Sequence, residues 1–172
     1  MRVILIVGAK GGVGTTTVAH ELTRVGKALA VDAAGGVLAA GLGRATWNLT
    51  HEIYAATGAW RAKLIEQALK KRVTLLFAVE NSATGSGAAA PWEFVRDVAR
   101  RGPVVIDSGV EPLAEVDDLV TQVVIVTQPD NPLAQWHVAQ LQQRYPGARV
   151  IAGTRQGAAE LASQLFLGVQ TS

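Results

Sequence analysis

Six short apolar runs, Arg2 to Val7, Ala28 to Val31, Val73 to Val79, Val104 to Ile106, Val123 to Val126 and Arg149 to Ala152, are rich in Val and Ile and mostly unalternating. A strand with one wet face alternates apolar and polar residues, whereas a strand covered on both faces does not. Helical spacing fills the intervals: Val18, Leu22 and Val25 stand at i, i+4 and i+7 ahead of Gly26, and Trp60, Leu64 and Ala68 follow at four-residue steps. Pro91, Pro112 and Pro132 each sit where a first helical turn starts. Strand then helix, repeated, implies right-handed crossovers between parallel strands. The expected fold is therefore α/β, a single doubly wound, mainly parallel sheet. The 172 residues suit one domain over 1–172, at roughly 150 residues per domain. With 49% hydrophobic and 17% charged residues, the chain is far from the composition of a disordered one.

Ligands of such sheets bind beyond the carboxyl ends of the strands, so chemistry is expected in the loops that follow them. Cysteine is absent, which excludes disulfides, thiolate metal sites and a Cys nucleophile. A formal charge of +2 permits nucleic-acid binding without indicating it. The basic residues Arg61, Lys63, Lys70, Lys71, Arg72, Arg96, Arg100 and Arg101 lack interleaved aromatics and read as solvated helix faces. His20, His51 and His137 have no metal-ligand spacing and are expected at the surface or sheet edges. Trp47, Trp60, Trp92 and Trp136 fall on expected helices as core or interface anchors. No run approaches 18 apolar residues, so no integral membrane segment and a cytoplasmic location are expected. The stripe Ala158, Leu161, Ala162, Leu165 and Val169 is followed by no Lys or Arg; it should cover the sheet rather than meet anionic lipid. Two segments are expected to be long loops: Ala33 to Thr46, with four glycines, and Glu80 to Ala90.

The segment from Gly8 to Thr17 follows a buried strand and opens a helix. Glycines permit close backbone approach and positive φ, and a helix N-terminus carries about half a positive charge, so phosphate is its natural guest. Two phosphate-binding patterns compete. The general nucleoside-triphosphatase pattern Gly-x-x-x-x-Gly-Lys-[Ser/Thr] places Ala9 at its first glycine and Thr15 at its lysine. The dinucleotide pattern uses Gly8-x-x-x-Gly12-x-Gly14, with Asp32 ending the next strand to take a ribose hydroxyl. A Tyr-x-x-x-Lys pair, which would support a small NAD(P)-binding reductase, does not occur.

The longer string Lys10-Gly11-Gly12-Val13-Gly14-Thr15-Thr16-Thr17 resembles the deviant Walker A motif KGGxGKT[ST] of the ParA/MinD ATPases at seven of eight positions. The resemblance continues through Val31-Asp32, through Val104-Val105-Ile106-Asp107-Ser108 as a Walker B strand, and through Val123 to Pro132. Loss of the Walker lysine is most similar to the TadZ/CpaE-type branch, which localises pilus assembly.

This resemblance implies a P-loop NTPase of the SIMIBI type that uses ATP and Mg²⁺ and forms a nucleotide-sandwich homodimer. It makes Lys10 and Asp32 the catalytic candidates, Lys10 reaching the partner copy's phosphates. Gly11, Gly12, Val13, Gly14, Thr15, Thr16 and Thr17 would hold the nucleotide, and Thr16 and Asp107 the metal. Three departures weaken catalysis. Thr15 replaces a lysine whose charge-assisted hydrogen bond is worth about 1.5–3 kcal/mol, or 10- to 100-fold in affinity. Ala34 stands where the resemblance expects a water-orienting carboxylate, and Gly153 where it expects an adenine-reading Asn. The implied function is an ATP-binding, dimerising positioning or partitioning switch with weak or absent hydrolysis, acting on a cargo or adaptor protein. The alternative is a nucleotide-independent scaffold of the same fold.

Overall fold

The computed structural model describes residues 1–77 and 89–167. Seven strands form one sheet: β1 (Val3–Gly8), β2 (Leu29–Asp32), β3 (Thr46–Asn48), β4 (Thr74–Leu76), β5 (Val104–Asp107), β6 (Gln122–Thr127) and β7 (Arg149–Ala152). Their order is β3-β4-β2-β5-β1-β6-β7, and every pairing is parallel. Seven helices occur among the described residues: α1 (Thr15–Val25), α2 (Val37–Leu42), α3 (His51–Tyr54), α4 (Gly58–Lys71), α5 (Ala89–Ala99), α6 (Pro132–Arg144) and α7 (Arg155–Ala162). A 3-10 turn lies at Ala114–Val116 and a π turn at Ser163–Leu167.

The unalternating runs have the expected cause except at β7, an edge strand whose four residues are exposed or half-buried. In β1 all six residues are buried. Val3, Leu5 and Val7 pack with α4, α5 and α6 on one face, while Ile4 and Ile6 pack with α1, α2 and α7 on the other. Each such side chain contributes about 1.5–3 kcal/mol by leaving water. Ala158, Leu161 and Ala162 of α7 lie in the second of these cores with Leu165 packed against it, so this part of the carboxy-terminal stripe covers the sheet as expected, while Val169 lies outside the described residues. No helix of the described residues is long and apolar enough to cross a membrane.

Three expectations need correction. The segment from Ala33 to Thr46 is not one long loop, because it holds α2 and reaches the edge strand β3. α2 has only six residues, includes Gly41, and begins at Gly36 without a side-chain cap of its own, so no periodicity announces it. Trp47 lies in β3 instead of a helix. Trp60 is not a core anchor: it is 55% exposed, and Leu64, Ile65 and Ala68 form the inward face of α4. Four-residue steps drift around a helix by about 40° each, which leaves Trp60 about 80° from Ala68 and about 140° from Ile65, at the edge of the inward face. Trp136 is exposed as well, whereas Trp92 is buried in the core. The expected loop from Glu80 to Ala90 lies outside the described residues except at its end, where α5 begins.

The site is positioned by the strand order. β2, β3 and β4 lie on one side of β1, beyond β5, and β6 and β7 lie on the other. The loop after β1 therefore sits at the switch point of the sheet, between the carboxyl ends of β5 and β6.

Candidate phosphate-binding site

The loop after β1 is fastened at its entrance. Gly8 N–H donates to the Gly109 carbonyl at 2.6 Å, and Ala9 N–H donates to the Val126 carbonyl at 2.8 Å. Beyond Ala9 the chain turns through Gly12 and Gly14, at φ 78° and 95°. The first hydrogen bond of α1 runs from Val18 N–H to the Gly14 carbonyl at 3.1 Å. The backbone N–H groups of residues 10–17 thus have no hydrogen-bond partner among the described residues. A cluster of unpaired amides at a helix N-terminus is the arrangement that receives an anion.

Lys10, Gly11, Gly12, Gly14, Thr15, Thr16 and Thr17 line one wall of a cleft of about 730 Å³. Val13 does not: its side chain is 2% exposed and belongs to the core with Ile4 and Val18. Lys10 is half-buried and has no hydrogen-bond or ion-pair partner among the described residues. Thr15, at the lysine position of the motif, is nearly buried. A Cβ on Gly8 would collide with the Thr15 hydroxyl, so these two residues can approach only because position 8 is glycine.

Both acidic candidates end strands and are fully buried. Asp32 and Asp107 stand in register on the adjacent strands β2 and β5. Thr16 donates its hydroxyl to Asp107 Oδ2 at 2.9 Å, and Gly109 N–H donates to Asp107 Oδ1 at 3.1 Å. Burial pushes the Asp107 pKa above the ordinary 3.8, opposed by these two hydrogen bonds and reinforced by the nearby Asp32 charge. Asp32 is engaged differently. Its Oδ1 accepts from Ala34 and Gly36 N–H, both at 3.1 Å, and its Oδ2 accepts from Ala39 N–H at 2.9 Å. The carboxylate thereby caps α2 and shapes the loop before it. Ser108, next to Asp107, donates its hydroxyl to the Ile6 carbonyl at 3.0 Å.

Hard cations take oxygen ligands, and the Thr16 hydroxyl and Asp107 carboxylate are of that kind. No group of three or more His, Asp or Glu residues gathers among the described residues. A cation held at Thr16 and Asp107 would therefore need phosphate and water oxygens to complete its shell.

Several features of the site carry no clear mark in the sequence. Ala33, Ala34, Gly35, Phe77, Pro91, Trp92, Ser108, Gly109, Val110, Glu111, Leu113 and Glu115 supply the rest of the cleft's walls. Phe77 and Trp92 stack with ring centroids 4.1 Å apart at 22°. Gly153 lies directly against the loop after β1, where a Cβ would run into the Val13 carbonyl, and its N–H donates to the Thr127 carbonyl at 3.2 Å. His137, expected at the surface, is half-buried, and its Nδ1 stands 2.5 Å from the Ala9 carbonyl. The basic residues behave as solvated faces in part: Arg61 and Arg100 pair with Asp97, and Arg96 pairs with Asp118.

No protein-family model and no curated protein matches the sequence. Among solved structures, a chain of the MinC:MinD cell division protein complex of Aquifex aeolicus matches with a TM-score of 0.58 and 18% identity. The match covers 97% of this chain and 78% of that one. At this identity the likeness is one of fold alone, a parallel α/β sheet.

Proposed function

We propose that the chain is a nucleotide-dependent switch that binds Mg-ATP at the loop after β1, pairs with a second copy around it, and hydrolyses it slowly if at all. The observation that carries this reading is the run of unpaired amides over residues 10–17, with the Thr16–Asp107 pair beside it. The amides, Lys10 and the α1 N-terminus provide for phosphate charge, and Thr16 and Asp107 for Mg²⁺. Lys10 is left for the partner copy's nucleotide, since nothing among the described residues engages it. Both carboxylate oxygens of Asp32 accept from backbone N–H groups, so its part is to position the 33–39 segment at the rim of the cleft. Weak hydrolysis follows from Thr15 and Ala34, which leave neither a lysine on the β/γ-phosphates nor a carboxylate to orient water.

A cytoplasmic switch of this ParA/MinD type acts on a cargo or adaptor, and the fold likeness to a complex of two cell division proteins supports a protein partner. The second reading, a scaffold that recruits its partner without nucleotide, is favoured by one observation, the threonine at position 15. Calorimetric titration with Mg-ATP separates the two. Saturable heat, displaced by Mg-ADP, is the result expected; no heat and no displacement at millimolar nucleotide would leave the scaffold. Saturation by NAD(P)H alone would instead favour a dinucleotide-binding reductase.

A further inference from the structure

We infer that His137 is a positioning residue for the phosphate loop. This rests on the nucleotide-binding reading above for its effect, though not for its geometry. Ala9 is the last residue before Lys10, and it is 2% exposed. Its N–H is committed to the Val126 carbonyl at the end of β6, and its carbonyl faces His137 Nδ1 at 2.5 Å. Both polar groups of Ala9 are thereby held, one by a strand and one by a helix, and the peptide that leads into Lys10 is fixed in orientation.

The helix that carries His137 is itself tied to the same end of the sheet. Asn131 Oδ1 accepts from Ala134 N–H at 3.1 Å and Pro132 begins the helix. Gln135 Nε2 lies 3.3 Å from the Pro129 carbonyl and 3.4 Å from the Gln128 carbonyl. α6 and the loop after β6 thus form one braced unit, and His137 is its contact with the phosphate loop. On the outer side the Trp136 ring lies 4.9 Å from the imidazole at a 54° tilt, and Trp136 and Leu133 are both more than half exposed.

A carbonyl can only accept, so Nδ1 must carry the proton. The neutral ring is then the Nδ1–H tautomer, with Nε2 as its unprotonated nitrogen. Removing the donor releases the Ala9 carbonyl, and the amides of residues 10–17 lose the rigid entrance that presents them together. A net hydrogen bond of ordinary strength corresponds to about three- to tenfold in affinity.

Two measurements test this on the whole chain. Long-range ¹H–¹⁵N spectra of the neutral ring, taken without nucleotide, should show pyrrole-like Nδ1 and pyridine-like Nε2 in His137. The reverse assignment would overturn the proposal whether or not ATP binds. Mg-ATP calorimetry then compares His137→Leu with His137→Asn, whose amide nitrogen stands close to the Nδ1 position. Leu should weaken binding about three- to tenfold and Asn should restore most of it, with the thermal midpoints of the two variants alike. Equal affinities for Leu, Asn and the unaltered chain would overturn the positioning role. Absence of ATP binding by the unaltered chain would overturn the nucleotide reading instead, leaving the tautomer result to stand for the geometry.

Discussion

Gly14 and Gly153 meet backbone to backbone, 139 positions apart in the chain. A Cβ on Gly14 would run into the carbonyl of Gly153, and a Cβ on Gly153 would run into the carbonyl of Val13. The loop after β1 is therefore seated on the turn after β7, and position 153 has no room for the adenine-reading Asn that the resemblance implies.

Gly153→Ala should accordingly destabilise the protein, since the obstacle is backbone and cannot rotate away. Overpacking of this kind costs about 1–3 kcal/mol, and at about 2–4 °C per kcal/mol for a chain of this size the thermal midpoint should fall by roughly 2–12 °C. Thermal denaturation followed by circular dichroism measures this, and an unchanged midpoint would mean that the two loops are not in contact.

Asp107→Asn separates folding from binding. Burial raises the Asp107 pKa, so at neutral pH the ionised carboxylate is the penalised form and a neutral isostere removes that cost. Asn keeps an oxygen to accept from Gly109 N–H and offers an amide N–H to the Thr16 hydroxyl in place of the bond now received. The thermal midpoint without ligand should be unchanged or higher. Mg²⁺-dependent binding of ATP should fall at least about tenfold, the scale on which lost metal-site groups act. A midpoint that falls while binding is kept would assign Asp107 to the fold alone.

How far the sequence revealed this site depends on which forces made each part. Six of the seven strands fall on the apolar runs of the sequence, which announce them, although β7 at the sheet edge is exposed or half-buried throughout. β3 is three residues long with a single neighbour, so it leaves no pattern. α2 is held by a carboxylate from outside the helix, Asp32, through bonds to Ala34, Gly36 and Ala39; an Asp ahead of two glycines at a strand end was the available signal. The phosphate loop was legible because glycine and hydroxyl residues stand consecutively there. The Phe77–Trp92 stack and the His137 contact join distant segments, and nothing local marks either.

Thr15→Lys tests the most consequential departure from the motif. Thr15 lines the cleft, so a lysine there can extend among the same amides that would hold the β- and γ-phosphates. It would add one charge-assisted hydrogen bond, worth about 1.5–3 kcal/mol. Calorimetry should show Mg-ATP binding tightened about 10- to 100-fold. Steady hydrolysis should remain slow, because Ala34 still provides no carboxylate to orient water. Unchanged affinity would place the phosphates away from residue 15.

Lys10→Ala tests the sandwich. Lys10 lies in the cleft wall and is engaged by nothing among the described residues, so its removal should leave the stability of the free chain within about 0.5 kcal/mol of the original, as for other substitutions away from packed features. Its charge is needed only when a second copy brings phosphates within reach. Truncating one member of a charged pair buried between partners costs about 2–5 kcal/mol, which weakens dimerisation roughly 30-fold or more. On a sizing column with Mg-ATP, the unaltered chain should elute as a dimer and Lys10→Ala as a monomer at the same micromolar loading. Dimers that persist in the variant, or that form equally without nucleotide, would remove Lys10 from the interface and favour the scaffold reading.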